Sequence, residues 1–400
     1  QEEPLYRINV NTQRYEGYMK HAFILDASHG TNIAWMTSAS MHHMDATYGQ
    51  KAYSVNEKNV YSQLMFETNF TQEHNLALGA SFNHDYLGQT YLTQPVREKE
   101  NVVGAYAQYT FNLHEKLVAM AGVRVDHSSE YGTFFTPRFH VKWQVNDILG
   151  LRASVGKGYR TVHALAENNY LMASGRQLVI DKLNQEDAWN YGLSAALNIP
   201  IARKTLRVNA EYYYTHFGNQ AIIDYDSDPS KITITNLNGK SYSHTFQVDA
   251  SYEMFRGMTV TAAYRYNDVK TTYGGELLRK PLTSKYKGLL TASYKTPLGL
   301  WQFDATLALN GGGRMPKPYT NADGTPSWKE EYPAYAQLNA QITRWFRKFS
   351  VYVGGENLTG YKQKNPIIDA AHPWSSTFDP TLVWGPMEGA RAYIGIRYKI

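Results

Sequence analysis

The densest grouping of metal-binding side-chain types in the chain is Met41-His42-His43-Met44-Asp45. Imidazole and thioether donors of this kind suit a soft transition ion such as copper. In an extended chain successive side chains point to opposite faces, so His42 and Met44 share one face while Met41, His43 and Asp45 share the other. One strand therefore cannot aim all five at one ion. His42 and Met44 stand as the candidate metal pair, and a polar rim at a strand end is the plainer reading. Asp224-Tyr225-Asp226-Ser227-Asp228 places carboxylates at alternate positions as a calcium loop does, but without the glycine turn and closing glutamate of a helix-loop-helix site. A solvated acidic loop is expected there. His84, His127, His163, His216 and His372 fall singly near strand ends or in connections and read as solvated polar groups. With no cysteine, thiolate chemistry and disulfides are excluded. No Ser–His pair or paired acid and base stands out, so no catalytic residues are expected.

The elements that would position these groups are strands. The 400 residues carry 32 Tyr, 8 Trp and 15 Phe with only 19% charged residues. Mean hydropathy is nevertheless −0.49, so the chain is aromatic-rich without being apolar on average. A transmembrane barrel accounts for both properties, because each strand shows an apolar face to lipid and a polar face to the lumen, with aromatic girdles at the interfaces. No apolar run is long enough for a membrane helix, and no charged-then-apolar leader opens the chain, so an export signal is expected to have been removed upstream. The net charge of +5 is scattered, which leaves no basic stripe for nucleic acid.

Period-two alternation runs almost from end to end. In the last segment Ala392, Ile394, Ile396, Tyr398 and Ile400 fall on one face, and Arg391, Tyr393, Gly395, Arg397 and Lys399 on the other. From Val102 to Leu113 the outward set is Val103, Ala105, Ala107, Tyr109, Phe111 and Leu113. Tyr106, Gln108, Thr110 and Asn112 face inward. Leu117, Ala119, Ala121, Val123 and Val125, then Phe139, Val141 and Trp143, repeat the outward pattern. Strands of ten to twenty residues exceed the usual five or six of soluble sheets. The pattern predicts an all-β, antiparallel transmembrane barrel.

Connections alternate in length. Short ones near residues 71–74, 113–115, 146–147, 201–204, 255–257, 297–299 and 347–348 read as periplasmic turns. Long ones at 88–99, 160–186, 273–282, 314–332 and 361–389 read as extracellular loops, where recognition concentrates. Trp301, Trp345, Phe346 and Phe349 beside short turns suit an inner aromatic girdle. Counting back from Ile400 gives about seventeen strands, the first clear one near Tyr18 to Ala27, with Gln1 to Gln13 a loop leading into it. Single-chain bacterial barrels ordinarily have an even number, so the count implies part of a larger barrel.

Several segments then follow in a recognisable order: Thr136-Pro137-Arg138; Gly156-Lys157-Gly158-Tyr159-Arg160-Thr161 with Glu167-Asn168 after it; Glu186-Asp187-Ala188-Trp189-Asn190-Tyr191-Gly192; and Gly355-Glu356-Asn357-Leu358-Thr359 before a final alternating strand. The chain resembles the C-terminal barrel region of TonB-dependent outer-membrane receptors, over nearly the whole of residues 1–400. The resemblance implies about seventeen strands of a 22-stranded barrel, with the family's N-terminal plug domain absent from this chain. Val162 replaces a common proline after the Gly-Tyr-Arg-Thr run, and the chain ends in Ile400 where many outer-membrane proteins end in Phe.

The implied activity is TonB-energised uptake of a scarce nutrient of the metal chelate, haem or cobalamin class, without a cofactor. Implied partners are outer-membrane lipid and lipopolysaccharide, the plug, the TonB complex and the nutrient ligand. Candidate ligand-binding aromatics in the outer connections are Tyr91, Tyr131, Phe135, Tyr170, Trp328, Trp374 and Trp384, each equally readable as loop packing. Arg138, Lys142, Arg152, Arg391 and Arg397 are expected to face the lumen and a plug, an anionic ligand being their other reading. A passive porin of sixteen to eighteen strands is the alternative function, and an outer-membrane hydrolase the remote one.

Overall fold

The computed structural model describes residues 4–400. Among these, one 18-stranded sheet contains seventeen long strands, from Ile8–Asp26 to Arg391–Tyr398, and the short Glu276–Arg279. Every long strand pairs antiparallel with the next in the chain, beginning with Ile8–Asp26 on Thr31–Tyr48 and ending with Phe349–Glu356 on Arg391–Tyr398. Next-neighbour pairing satisfies the backbone donors and acceptors with the shortest connections available, which is what a lipid environment demands.

The register sorts side chains into two faces as the alternation predicts. Val103, Val123, Val125, Phe139, Leu193, Ile394 and Ile396 are exposed on the outside of the wall. So much exposed apolar surface is foreign to a soluble monomer but is the lipid-facing band of a barrel. No helix is long and apolar enough to cross a membrane. On the inside, tyrosine rings lie over glycines of the neighbouring strand. Tyr106 is directly opposite Gly79, Tyr213 opposite Gly192, and Tyr352 opposite Gly395. A Cβ at these glycines would stand 2.1, 2.8 and 2.3 Å from the facing ring, so the rings lie flat against the wall only because the glycines leave room.

Most turns fall where expected, and four readings are corrected. Residues 88–99 are not a long loop but a hairpin, in which His74–Tyr91 and Gln94–Leu113 meet across Leu92-Thr93, with Leu92 at φ 58°. Both strands continue past the membrane band, and their charged outer halves read as loop. The first strand starts at Ile8 rather than near Tyr18, because Asn9, Asn11 and Gln13 pair with Thr47, Asp45 and His43 despite their polarity. Gln1, Glu2 and Glu3 of the expected leading loop lie outside the described residues. The connection 273–282 is a tight turn at Gly274-Gly275 followed by a strand, Glu276–Arg279, that folds back on Met258–Tyr273. Trp345 does not join the girdle. It pairs with the inward Ser350 and faces the lumen, its ring 5.6 Å from the Lys295 ammonium.

The outer connections are not separate loops. Gln177–Ile180 pairs in parallel with Lys231–Asn236, which pairs antiparallel with Ala221–Asp224, joining connections 161–185 and 220–240 into a three-stranded sheet. Leu171, Tyr225, Ile232, Ile234, Met315, Tyr332 and Leu382 form one buried cluster drawn from four connections. A second cluster ties this cap to the wall. Leu165, Met172 and Ala173, from the helical segment Ala164–Asn168 and the turn after it, pack on Ala46, Tyr48, Tyr53, Val55 and Leu87. Those wall residues belong to strands two to four, whereas the cap segment leaves strand eight, so it crosses inside the mouth. Truncation of the fully buried Leu171 to Ala is expected to cost the cap about 2–5 kcal/mol. Hydrogen exchange should speed up in residues 221–234, while the barrel keeps its heat-modifiable migration on a gel.

Candidate functional site

Two inner surfaces of opposite charge lie at different depths. Near the mouth, register puts His42, Glu57, Leu87 and Glu98 on one rung, and Asn59, Asp85 and Glu100 on the next. Glu57, Asp85, Glu98 and Glu100 thus share one inward patch. Among the described residues none of the four is ion-paired to lysine or arginine. His42 Nδ1 lies 3.4 Å from Glu57, Asn59 donates to Asp85 at 2.6 Å, and Ser128 and Thr161 donate to the buried Glu100 at 2.5 and 2.8 Å. His163, at the start of the cap, brings Nδ1 to 3.4 Å from Glu98. Asp85, Glu98 and Glu100 border a recess of about 610 Å³, closed on one side by Tyr131 and residues 161–164 and 180–183, with Arg97, Lys99 and Lys182 also on its lining. The Glu98 carboxylate raises the His163 pKa above its ordinary value, outweighing burial.

Deeper in the lumen the wall is basic. Lys142 is directly opposite Arg152, and Arg138 lies on the same face opposite Gly156. Lys142 and Arg152 border a recess of about 720 Å³ with His140, Ser154, Asn190, Glu211 and Tyr213. Among the described residues Arg138, Lys142 and Arg152 form no ion pair. Arg397 lies over the Tyr352 ring at 5.9 Å, and Arg391 pairs with Glu356 at 2.8 Å near the outer end of the last strand.

Other candidates are dispersed. Met44 packs against the apolar cluster that anchors the cap, away from the polar setting of His42, and no three histidine or carboxylate side chains converge on a metal site among the described residues. His43 instead contacts Asp45 and Asn56, each at 2.7 Å, on the other face. Trp328 donates to the Pro316 carbonyl, and Trp384 stacks on Tyr332 at 5.1 Å, so both serve cap packing. Trp374 donates to the Pro4 carbonyl and sits 5.4 Å from Tyr6, holding the first residues against the last loop. Phe135 pairs with Val125 on the outer face, and Tyr91 packs beside the cap anchor. Tyr131 at the recess and the half-exposed Tyr170 remain open to the mouth. The acidic run at 224–228 is solvated only in part: Ser227 and the Asp228 carboxylate lie at the surface, whereas the Asp224 and Asp226 side chains are taken up by the cap. Asp224 accepts from Asp226 N and Ser227 N, while the buried Asp226 holds Arg314 through two contacts of 2.9 Å.

The sequence pattern of the family described as TonB dependent receptor-like, beta-barrel matches residues 5–358. The chain belongs to that family. By sequence no curated protein matches it. Solved structures similar to this TonB-dependent receptor barrel include the siderophore receptor PirA from Acinetobacter baumannii, at 13% identity and TM-score 0.72, with 97% of this chain and 62% of that one covered. The copper transporter OprC matches at 14% identity and TM-score 0.70, over 97% and 65%, and the ferric citrate transporter FecA at 14% and 0.68, over 97% and 61%. The chain therefore spans less than two thirds of the length of these receptors. Its lipid-facing band and its family place this TonB-dependent receptor barrel in the outer membrane.

Sequence reasoning passed over the mouth carboxylates: Glu98 fell inside the segment 88–99 read as a loop, and without register nothing showed that Glu57, Asp85 and Glu100 come together beside it. Alternation continued past residue 88 would have found Glu98 and Glu100 on the inward face. His163 binds protons more readily in the folded cap than in the unfolded chain. Its contribution is full below the ordinary value of 6.5 and fades as pH rises through the elevated folded value. Raising pH from about 6 to about 8.5 should therefore speed hydrogen exchange in residues 164–173, after correction for intrinsic exchange. Glu98→Gln should flatten that dependence.

Proposed function

We propose that this chain forms the wall and outer loops of a receptor that takes up a scarce nutrient through TonB, with a plug domain filling the lumen. The match to the receptor-barrel family over residues 5–358 carries the reading. The nutrient is of the metal-chelate class, in keeping with the siderophore, ferric citrate and copper named for the similar structures. Haem and cobalamin have no such support. The ligand enters past the exposed Tyr170 to the mouth recess beside Tyr131, where carboxylates held by histidine and hydroxyl groups rather than by lysine or arginine suit hydrogen-bond-donating groups.

The unpaired lumen cations support the plug. Arg138, Lys142 and Arg152 line a polar wall, and acidic groups on a plug domain give them partners worth about 1–3 kcal/mol per charged hydrogen bond. TonB acts on the plug, and lipopolysaccharide surrounds the outer half of the wall. The function is binding and transport, with no catalytic residues assigned. A cap crossing the mouth also runs against a freely conducting porin.

The full-length receptor, expressed in cells lacking other receptors for the chelate, should import radiolabelled ferric chelate or copper only when TonB is functional. Import that continues without TonB, together with steady ion conductance in planar bilayers, would establish the porin instead. The double reversal Lys142→Glu with Arg152→Glu should leave barrel assembly intact, loosen the plug and sensitise cells to antibiotics too large for ordinary porins.

A further inference from the structure

Arg344 is a cation that faces lipid rather than the lumen. Arg344, in Tyr335–Trp345, pairs directly with Trp301 and Val351, and its neighbour on the same face, Ile342, is exposed to lipid. Two residues later the chain enters the periplasmic turn at 346–348. Arg344 therefore sits on the outer surface of the barrel at the depth where the inner leaflet's acyl chains give way to headgroups.

The guanidinium is held by rings on two sides, 5.2 Å from Trp301 and 5.3 Å from Phe346. Those rings continue into an aromatic belt, with Phe349 4.6 Å from Phe346 and Phe303 6.5 Å from Trp301. Trp301, Phe303, Phe346 and Phe349 are all exposed. Among the described residues Arg344 makes no ion pair and donates no side-chain hydrogen bond. A guanidinium fixed in orientation by flanking rings keeps its fork of N–H donors available, a geometry that matches phosphate bidentately. At this depth the acceptor within reach is the phosphodiester of a phospholipid, whose chains lie along Ile342 and Val353.

We infer that Arg344, Trp301 and Phe346 form a clamp for the headgroup phosphate of an inner-leaflet phospholipid. The rings orient the cation and cover its apolar faces, the guanidinium takes the phosphate oxygens, and the strands above take the acyl chains. One lipid would thereby be fixed against strands fourteen to sixteen, at the end of the wall where plug and TonB must act.

The test is native mass spectrometry of the full-length receptor purified from outer membranes in mild detergent and titrated with phosphatidylglycerol. The wild type should retain a bound lipid. Arg344→Gln should weaken retention about tenfold, the equivalent of ~1.4 kcal/mol. Trp301→Leu, which keeps the surface apolar, should weaken it in the same direction, and Arg347→Gln in the adjacent turn should leave it within about twofold of wild type. Heat-modifiable migration confirms that each variant is folded. Equal retention in wild type and Arg344→Gln overturns the clamp. So does an equal loss in Arg347→Gln, which would mark a general charge effect, or displacement of the lipid by inorganic phosphate, which would mark a free-anion site.

Discussion

In the hydrocarbon of a bilayer a backbone N–H or C=O has no water to turn to, and each one left unpaired costs several kcal/mol. The rest of the molecule follows from that constraint. It requires strands to pair along their membrane-spanning length, and pairing each strand with its chain neighbour does so with the fewest residues spent on turns. It requires period two, since the paired wall has lipid on one side and an aqueous or protein-filled lumen on the other. It confines irregular backbone to the two ends, where water or other loops supply partners.

Consequences for chemistry are set by depth. At the inner rim the apolar band ends in aromatic rings and the lipid-facing Arg344. In mid-lumen the tyrosine-over-glycine pairs keep side chains flat against the wall, and the unpaired cations project past them. At the mouth the wall outruns the membrane, and its inward face turns acidic just where the cap crosses. The cap itself is a small soluble fold, with a three-stranded sheet, a buried apolar cluster and an Asp226–Arg314 pair at its centre. Because four connections share that core, they are expected to move together.

The wall was legible because alternation is local. Val103 against Gln108, or Ile394 against Arg397, declares its face without knowledge of any partner. Turn chemistry was local too, as at Arg256-Gly257, where Gly257 adopts φ 87° and a Cβ would meet the Lys295 carbonyl at 2.2 Å. The cap was illegible for the opposite reason. Leu171 and Ile232 sit in unremarkable polar stretches, and only their meeting across sixty residues makes a core. The same blindness left Trp328 and Trp384 readable either as ligand contacts or as loop packing until their contacts within the cap were seen, and turned the outer halves of two strands into a loop. Trp345 misled because proximity to a short turn does not say which face a ring occupies. Register does.

If the outer connections close over the inner wall instead of standing open around it, side chains beneath the cap are shielded from bulky reagents. Residues 1–400 contain no cysteine, so a thiol introduced among them is the only one in this segment and can be labelled on intact cells. Ala46, 3% exposed, lies beneath the cap, and Tyr170, 46% exposed, lies on its surface. A membrane-impermeant maleimide should label Tyr170→Cys readily and leave Ala46→Cys unmodified. Equal labelling of the two would show an open mouth and contradict that closure.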